Sequence, residues 1–438
     1  MKILYLSQYY PPECCAPARI SELAREWSRA GHEVRVLTGF PNHPDGRIHP
    51  EYRSRWKSGF CREQMDGVEV CRTWLYPSAN RGTWKRSANF LSFALSAAVA
   101  GVRIAPKDGV VIATSPPILV GAAGYLVARQ AGLPFVFEVR DLWPESLEAV
   151  GQAAKNSALY RAVGRLANLL YKQAGHIVVD GEHKRRKLLM DGVPASKISV
   201  IRNGVAAEFL DRNFAASGAA AREVRRRLGL GQQFIAIYAG TLGMAHRLET
   251  VLEAAHRLRA RHDVAFLLLG DGAGREKLLA QIREMNLRNV RILSCVPRES
   301  VPDYLAAADV CLVPLRASKV FHTAIPCKMF EAMAAAKPVI LGVEGEAAEI
   351  LEEARAGVCV RPEDAGALAA AVLHLADHPE TARQLGRNGQ HAIITRCSRR
   401  DQALAYLELL RGLVQGGEMA RNAPEEIHSL PVALKETV

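Results

Sequence analysis

The sequence has no CxxC pair, and its nine cysteines are scattered along 438 residues. Zinc sites and disulfide frameworks need cysteines at close, repeated spacings, so neither is indicated. Cys14 and Cys15 are adjacent, but neighbouring residues rarely bridge. An odd, dispersed set of cysteines therefore predicts reduced thiols and a cytoplasmic protein.

Long apolar runs are also missing. Residues 1–6 enter an apolar strand pattern directly, without the layout of a signal peptide. The longest apolar run, residues 90–104, is too short to span a membrane and is interrupted by Arg103. It belongs to a helix pattern over residues 81–105, with Trp84 and basic residues near its start. That pattern fits a helix lying in a membrane interface, and equally a core helix capped by basic residues.

Acidic residues are scarce in the first half of the chain. Residues 1–203 carry 28 Lys and Arg against 17 Asp and Glu, whereas residues 204–438 carry 29 against 28. A basic half is suited to nucleic acid, an anionic membrane or a phosphorylated substrate, although it is also compatible with a plain basic surface. No aromatic stacking platform or recognised nucleic-acid-binding module accompanies the charge. A basic nucleic-acid-binding scaffold is therefore the weaker alternative.

Strand and helix patterns alternate through both halves of the chain. Residues 2–38 form a β-α-β unit, which predicts a parallel sheet, and 438 residues are too many for one core. The polar, Ala/Arg-rich segment 208–230 is interpreted as a linker, which places the domain boundary between Gly204 and Gln233. The predicted fold is α/β, with two doubly wound sheets. A polar tail from residue 415 is predicted to be poorly ordered.

The segment from residue 320 to 351 contains the strongest candidate site. Pro326 marks the start of a helix, since its fixed φ suits the first turn. A helix N-terminus presents free N–H groups and a partial positive charge, which suit a phosphate. Lys328 adds a full charge in that turn, and Glu331 is placed to accept hydrogen bonds from sugar hydroxyls. The simpler interpretation is a Lys/Glu pair on a solvated helix face.

Two glycine-rich loops follow strand patterns in the same half. They are Gly240-Thr241-Leu242-Gly243 and Gly270-Asp271-Gly272, and small residues there let backbone N–H groups close around phosphate oxygens. The loop after the first strand of the chain lacks the G-x-G-x-x-G pattern, which disfavours a dinucleotide site there. In the first half, Arg140 and Asp141 follow a buried strand, where α/β sheets place their chemistry. Asp141 is also compatible with a helix cap.

Taken together, these motifs resemble the GT-B glycosyltransferases of the large retaining family four, in particular the bacterial WbuB-type enzymes, which are proposed to transfer an amino-sugar during surface polysaccharide assembly. The resemblance covers about residues 1–412 and is specific for the fold and donor class, not for the sugar. Its marks in chain order are Tyr9-Tyr10-Pro11-Pro12-Glu13, Ala16-Pro17-Ala18-Arg19, Arg140-Asp141-Leu142-Trp143-Pro144, Arg202-Asn203-Gly204, Tyr238-Ala239-Gly240, Leu269-Gly270-Asp271-Gly272, Ala308-Asp309-Val310, and the run from Pro326 to Glu331 before Lys337-Pro338-Val339.

The resemblance implies two Rossmann-like domains with the active site in the cleft between them. The acceptor is expected on residues 1–204, the nucleotide-diphospho-sugar on residues 205–397, and a final helix, residues 398–414, crossing back to the first domain. The implied reaction is retaining transfer of a hexose or amino-hexose from a nucleotide-sugar to a lipid-linked acceptor at the inner face of the plasma membrane. Uridine is the family's commoner base and is the one expected here. No metal or other cofactor is expected, and no nucleic-acid partner. A sugar-nucleotide epimerase of the same shape is the alternative.

The family's functional residues carry over only in part. Glu331 matches the second Glu of the family's Glu-x7-Glu motif, expected on the ribose, whereas Thr323 replaces the first. Thr241 and His246 replace the usual Arg and Lys of the phosphate loop, so Lys328, Arg247 and backbone N–H groups are expected to meet the phosphate charge. Arg140 stands where the family has a histidine before Asp141. A histidine is therefore not expected to activate the acceptor, and Asp141 becomes the stronger catalytic candidate.

The predicted site residues fall into three groups. The catalytic group is Asp141, Arg140 and Lys328; the donor-binding group is Gly240, Thr241, Gly243, Arg247, Asp271, Gly272, Val296, Arg298, Thr323, Ile325 and Glu331; the acceptor-binding group is Glu13, Pro17, Arg19, Arg81 and Lys85.

Overall fold

The computed structural model describes residues 1–13, 18–43, 46–79, 83–149, 153–155, 157–210 and 218–416. Predictions for Pro17, Arg81 and most of the tail, residues 417–438, lie outside the described residues. The strands are β1 Lys2–Leu6, β2 Glu33–Gly39, β3 Phe60–Met65, β4 Val68–Thr73, β5 Val110–Ser115, β6 Phe135–Val139, β7 His176–Val179, β8 Ile198–Val200, β9 Phe234–Ala239, β10 Val264–Leu269, β11 Val290–Leu293, β12 Val310–Pro314, β13 Val339–Gly342 and β14 Gly357–Cys359.

Helices cover both sheets. They are α1 Ala18–Arg29, α2 Arg53–Lys57, α3 Thr83–Ile104, α4 Ile118–Ala131, α5 Glu145–Ala149, α6 Ala158–Gln173, α7 Glu182–Met190, α8 Ala207–Leu210, α9 Gly218–Leu228, α10 Glu249–Arg257, α11 Arg275–Glu284, α12 Val301–Ala307, α13 Cys327–Ala334, α14 Glu346–Glu353, α15 Ala365–Asp377, α16 Pro379–Arg396 and α17 Arg399–Val414. Short 3-10 turns lie at Pro50–Tyr52, Ala195–Lys197, Met244–His246, Arg298–Ser300 and Lys319–Thr323.

The strands form two separate sheets, as the alternating pattern predicts. Within the described residues, the first has the order β3-β4-β2-β1-β5-β6-β7-β8 and the second β11-β10-β9-β12-β13-β14. Neighbours run parallel throughout, apart from the antiparallel β3–β4 pair. Central strands such as β5 and β10 are buried along their whole length, since helices cover both faces of such sheets. The expected α/β architecture is confirmed.

The segment interpreted as a linker is partly helical. Residues 207–210 and 218–228 form α8 and α9, and Val224 of α9 is buried in the core of the second half. Ala221, Val224 and Leu228 recur at helical spacing and pack against that core, although the composition of the segment is rich in arginine. The linker interpretation of residues 208–230 is therefore wrong for those two helices.

The chain returns to the first half at its end. Helix α17 packs on α1, where the Trp27 indole N–H donates to the Ala403 carbonyl at 3.0 Å and Tyr406 meets the Trp27 ring edge-on. Ala403, Tyr406 and Leu410 are all buried in the core that also contains Trp27. The last helix is thus an integral part of the first half of the fold.

Cysteine chemistry differs from the expectation at one position. Cys61, Cys71, Cys311, Cys327, Cys359 and Cys397 are free thiols, whereas Cys295 is disulfide-bonded. The prediction that every thiol is reduced is therefore wrong at Cys295. The spacing argument tests only bonds between cysteines close in sequence, so it gives no information on a bond formed by chain folding.

Candidate active site

The two glycine-rich loops pack against each other at the ends of β9 and β10. Leu242 N–H donates to the Asp271 carbonyl at 2.8 Å, and Gly274 N–H donates to the Leu242 carbonyl at 2.8 Å. A Cβ on Gly270 would lie 1.9 Å from the Gly240 carbonyl oxygen, and the φ of Gly270 is +147°. Only glycine permits this backbone approach. The predicted phosphate loops therefore form one continuous backbone surface.

Lys328 joins this surface to the N-terminus of α13. Its Nζ donates to the Tyr238 phenol oxygen at 2.8 Å and lies 4.0 Å from the ring centroid. A Cβ on Gly240 would lie only 2.7 Å from the same Nζ. The ammonium group thus lies directly against the first glycine of the loop. The predicted grouping of helix N-terminus, lysine and glycine loop is present, and we call it the phosphate cradle.

His246 lies beside this cradle. Its ring is 5.6 Å from that of Tyr238, centroid to centroid. Burial lowers the pKa of His246 well below its usual value, and the charge of Lys328 lowers it further. A neutral imidazole therefore accompanies the single positive charge of Lys328, which explains how the pair can lie together without strong repulsion.

The remaining predicted donor residues of these loops surround the cradle. Thr241 accepts a hydrogen bond from the Tyr238 phenol through its carbonyl, at 2.6 Å, and Asp271 accepts from the Gly272 N–H at 2.7 Å. Arg247 does not take part in these contacts, because its Nε donates to Glu363 Oε2 at 3.1 Å. Its side chain must leave that carboxylate to meet a phosphate. Gly243 precedes the 3-10 turn that carries His246.

Glu331, the predicted ribose ligand, is linked to both halves of the chain through Arg298. The Arg298 guanidinium donates to Glu331 Oε1 at 3.0 Å and to Glu22 Oε1 of α1 at 2.9 Å. Although burial opposes its charge, the two carboxylates raise the pKa of Arg298. Val296 lies two residues earlier, in the loop after β11. The predicted base and ribose residues are therefore adjacent, with Arg298 joining them to the first half.

The predicted donor contacts Thr323 and Ile325 lie on the loop that precedes α13. The Thr323 carbonyl accepts a hydrogen bond from Lys184 Nζ at 2.8 Å. The Ile325 carbonyl accepts one from Asn203 Nδ2 at 3.5 Å. Both donors belong to the first half of the chain, so this loop lies at the contact between the halves.

Arg140 and Asp141 follow β6, and Arg140 lies near the start of α13. Burial raises the pKa of the Cys327 thiol at that start, and the Arg140 charge opposes the shift, so the two residues are close. Arg140 Nε and Nη1 are buried and have no hydrogen-bond partner among the described residues. Unpaired guanidinium donors in a cleft are suited to an anionic or hydroxylated substrate.

Asp141 is exposed to solvent but surrounded by protein on several sides. These surroundings desolvate its carboxyl and raise its pKa, while Lys184 and Arg140 act in the opposite direction. An accessible carboxylate between two cations at the end of β6 fits the predicted catalytic position. Its helix-capping alternative receives no support, because no hydrogen bond from a backbone N–H to its side chain is present among the described contacts.

The predicted acceptor residues divide into buried and exposed groups. Glu13 is buried, and its Oε1 accepts from the backbone N–H groups of Asn42 and His43 at 2.9 and 2.8 Å. Burial raises the pKa of Glu13 to about 7, against these two hydrogen bonds. Lys85, by contrast, is exposed on α3.

Arg19 is not available for direct contact with an acceptor. Its side chain is 1% exposed and pairs with Glu138 at 2.9 Å. It also donates to the Arg202 carbonyl at 2.8 Å. The direct acceptor role predicted for Arg19 is therefore wrong in this structure. Its observed contacts fix the Arg202-Asn203-Gly204 turn instead.

Several residues of the site were not predicted. Tyr238 and His246 accompany Lys328, and Lys184, Asn203 and Glu346 join the donor loop to the first half. Tyr238 and Asn203 belong to motifs that mark the family resemblance, which was the available signal. Lys184 lies on an ordinary basic helix and has no distinguishing sequence signal. Among the described residues, no group of three or more His, Cys, Asp and Glu side chains is placed to hold a metal ion.

Two family models match most of the chain. A glycosyl transferase 4-like domain matches residues 16–204, and the glycosyl transferases group 1 model matches residues 221–392. An Escherichia coli relative, a putative colanic acid biosynthesis glycosyl transferase called WcaI, is 27% identical over 406 residues, which cover 88% of this chain and 95% of the relative. Similarity to WbuB-type enzymes in particular stays a prediction.

Solved structures share the fold over nearly the whole chain. Sucrose-phosphate synthase of Thermosynechococcus elongatus has a TM-score of 0.75 and 20% identity, covering 94% of this chain and 99% of that one. The Anabaena protein Alr3699/HepE in complex with UDP-glucose has a TM-score of 0.70 and 17% identity, covering 94% and 100%. This likeness shows the GT-B fold, and the two family matches show that the chain belongs to the glycosyl transferases, with a glycosyl transferase 4-like domain followed by a group 1 domain.

Proposed function

We propose that this chain is a retaining glycosyltransferase that moves a hexose or amino-hexose from a UDP-sugar to a lipid-linked acceptor in surface polysaccharide synthesis. The observation that carries the donor assignment is the phosphate cradle, where Lys328 Nζ lies against Gly240 at the N-terminus of α13. The HepE structure with UDP-glucose supports the choice of nucleotide, and the description of WcaI supports the pathway class.

The cradle supplies the charge stabilisation that such a transfer needs. As the bond between sugar and diphosphate breaks, negative charge grows on the leaving oxygen. Lys328 and the N–H groups of α13 are already fixed beside the glycine loops, so they stabilise that charge without reorganisation. This arrangement makes a metal ion unnecessary in the proposed reaction. Glu331 holds the ribose, and the loop containing Val296 and Arg298 holds the base.

Retention of configuration is proposed to follow from attack on the face that the leaving group vacates. The departing diphosphate accepts the proton of the acceptor hydroxyl, so that no protein nucleophile is required. Asp141 and Arg140 lie on the acceptor side, where Asp141 orients the hydroxyl and the unpaired Arg140 donors bind an anionic or polar group of the acceptor. Desolvation raises the pKa of Asp141, and the charges of Lys184 and Arg140 oppose that shift.

The lipid-linked acceptor is proposed to reach the site along α3. Trp84, Leu91, Leu95, Val99 and Val102 are all exposed on one face of this helix, and we call them the α3 stripe. Exposed Trp74 and Tyr76 run alongside, since Tyr76 N–H donates to Ser92 Oγ at 2.8 Å. Exposed Lys85 and Arg103 flank the stripe. An apolar face between basic ends favours contact with an anionic membrane.

This helix lies on the protein surface and does not stand apart from it. Trp84–Ile104 is long and apolar enough to cross a membrane by length and composition, unlike the shorter run predicted from sequence. Phe93 and Ala97 on its inner face are nevertheless fully buried in the core of the first half. We therefore propose peripheral attachment at the inner face of the plasma membrane.

The decisive experiment combines a donor screen with a transfer assay. Thermal-shift measurements with UDP-, GDP- and dTDP-sugars identify the donor, and the radiolabelled donor is then incubated with membrane extracts, with and without EDTA. We expect label to move into the lipid fraction equally in both conditions. Strict metal dependence would contradict the proposed charge stabilisation. Donor conversion without any acceptor would favour the epimerase, and nonselective stabilisation by polyanions would favour a nucleic-acid-binding scaffold.

A further inference from the structure

Glu346 makes an unusual contact across the two halves of the chain. Its carboxylate is 3% exposed and accepts two backbone hydrogen bonds at the start of α7. Glu182 N–H donates to Oε1 at 2.7 Å, and His183 N–H donates to Oε2 at 2.8 Å. A side chain from the second domain thus caps a helix of the first domain. Because the first N–H groups of a helix lack internal partners and carry partial positive charge, a carboxylate is well matched to them.

The backbone of the first domain is shaped to admit this carboxylate. A Cβ on Gly181 would lie 2.5 Å from Glu346 Oε2 and 2.7 Å from Ile325 Cδ1. The φ of Gly181 is −161°, so the position is not strained and any residue could adopt it locally. Glycine is required here only because the other domain comes so close. The contact therefore depends on both domains, since the first supplies the space at Gly181 and the second supplies the carboxylate of Glu346.

The same helix end also holds the loop that precedes α13. Lys184 is anchored by Asp180 at 2.5 Å and donates to the Thr323 carbonyl at 2.8 Å. His183 Nδ1 lies 3.3 Å from the His322 carbonyl oxygen. On the other side of the loop, a Cβ on Gly345 would lie 2.2 Å from that carbonyl oxygen, so α14 fits closely against the loop as well. The segment from His322 to Ile325 is enclosed between α7 and α14.

These contacts connect the acceptor side with the donor side. Lys184 lowers the pKa of Asp141, opposing the effect of desolvation, so its ammonium group lies near the proposed acceptor carboxylate. The phosphate cradle, by contrast, is formed wholly within the second domain. Binding of the diphosphate and placement of the sugar therefore depend on different contacts.

We propose that Glu346 and Lys184 are positioning residues that set the loop from His322 to Ile325 in its transfer geometry only when the two domains are closed. This inference rests on the proposed function, because the loop is assigned to the donor sugar. Binding of UDP does not require these interdomain contacts, whereas transfer does. Domain closure thus completes the sugar site and brings Asp141 to it in one step.

The test compares Glu346→Gln with Glu353→Gln. Glutamine keeps the size of Glu346 but turns an N–H donor toward one backbone N–H, so one hydrogen bond is lost and two donors oppose each other. Glu353 lies on the same helix α14, is exposed, and pairs only with Arg396 of its own domain at 2.7 Å among the described contacts. We expect Glu346→Gln to lower kcat between about tenfold and a hundredfold, as small misplacement of reacting groups does. UDP affinity, measured by calorimetry, is expected to stay within about twofold, and Glu353→Gln is expected to behave as wild type.

A second variant approaches the contact from the opposite domain. Gly181→Ala inserts a methyl group between Glu346 and Ile325, and we expect the same fall in kcat with the same UDP affinity. Unchanged kcat in both variants would overturn the inference. An equal loss of kcat and UDP affinity would also overturn it, because that pattern indicates general loss of structure.

Hydrogen exchange separates this inference from the proposed function. The amides of Glu182 and His183 are expected to exchange faster in Glu346→Gln than in wild type, whether or not a substrate is known. Unchanged exchange at both amides would show that Glu346 does not hold these N–H groups in solution. A wild-type chain that transfers no sugar from any nucleotide-sugar would refute the proposed function and, with it, the positioning role, even where the exchange result shows the contact.

Discussion

Glu13 keeps its carboxyl against two backbone N–H groups, yet burial raises its pKa from 4.5 to about 7. At the scale of single residues, desolvation outweighs two favourable hydrogen bonds here. The folded state therefore binds the Glu13 proton more tightly than the unfolded state. It follows that the free energy of unfolding falls as pH rises from about 4.5 to about 7 and levels off above that range.

Glu13→Gln is expected to remove this pH dependence. The amide oxygen can accept the same two hydrogen bonds without the cost of a buried charge. At pH 8 the free energy of unfolding of the variant is expected to exceed that of wild type by up to about 3 kcal/mol. The thermal unfolding midpoint is expected to rise by several degrees. Thermal unfolding followed by circular dichroism at pH 5 and pH 8 measures the difference. The exposed Glu51→Gln is the control, and a gain in both variants would contradict the assignment.

Glu331→Ala is expected to weaken UDP binding by about tenfold to a hundredfold, the loss typical of a hydrogen bond to a charged group. Calorimetric titration of UDP gives the dissociation constant directly. Glu353→Ala, with its surface carboxylate, is expected to bind like wild type. Undiminished affinity in Glu331→Ala would refute the ribose assignment.

At the scale of elements, the parts of the site that depend on local sequence were predictable. The glycine loops, the start of α13 at Pro326 and the position of Lys328 follow from turn and helix-start chemistry within a few residues. The pairing of Glu346 with α7 joins positions 164 residues apart, and no local pattern contains that information. Helix α9 was also predictable in principle, because Ala221, Val224 and Leu228 recur at helical spacing and pack against the core, but the arginine-rich composition favoured a linker.

The α3 stripe leads to a prediction for the helix as a whole. Leu91→Glu/Leu95→Glu replaces two exposed leucines by charges, each leucine contributing about 1 kcal/mol or more if it enters lipid. Co-sedimentation with phosphatidylglycerol vesicles is expected to fall at least about tenfold, with the circular dichroism spectrum unchanged. Leu404→Glu on α17, similarly exposed, is the control. Equal vesicle binding by the double variant and wild type would exclude α3 as the membrane contact.

At the scale of the whole molecule, Glu22 connects three parts of the fold. It lies on α1, accepts from Arg399 of α17 at 3.0 Å and from Arg298 of the second domain at 2.9 Å. Burial opposes its ionisation, but Arg399 and Arg298 outweigh this and lower the pKa of Glu22. One ionised carboxylate therefore joins the last helix, the first domain and the nucleotide side.

Glu22→Ala is expected to destabilise the protein by about 3–5 kcal/mol, because it leaves buried Arg399 without its carboxylate partner. The expected result is a lower thermal midpoint together with faster proteolytic release of α17. Glu408→Ala changes an exposed carboxylate on the same helix and is expected to leave both measurements unchanged. Retention of the wild-type midpoint in Glu22→Ala would mean that the ion pair contributes little.

The polypeptide passes between its two domains at two places that lie side by side. Val205 N–H donates to the Cys397 carbonyl at 2.9 Å, and Arg399 N–H donates to the Val205 carbonyl at 3.0 Å. The two interdomain crossings are thus joined by backbone hydrogen bonds and form a double-stranded hinge. We expect them to restrict relative motion of the domains to rotation about one line and to oppose sliding of one domain past the other. Any opening of the cleft is then expected to return the two halves to the same alignment.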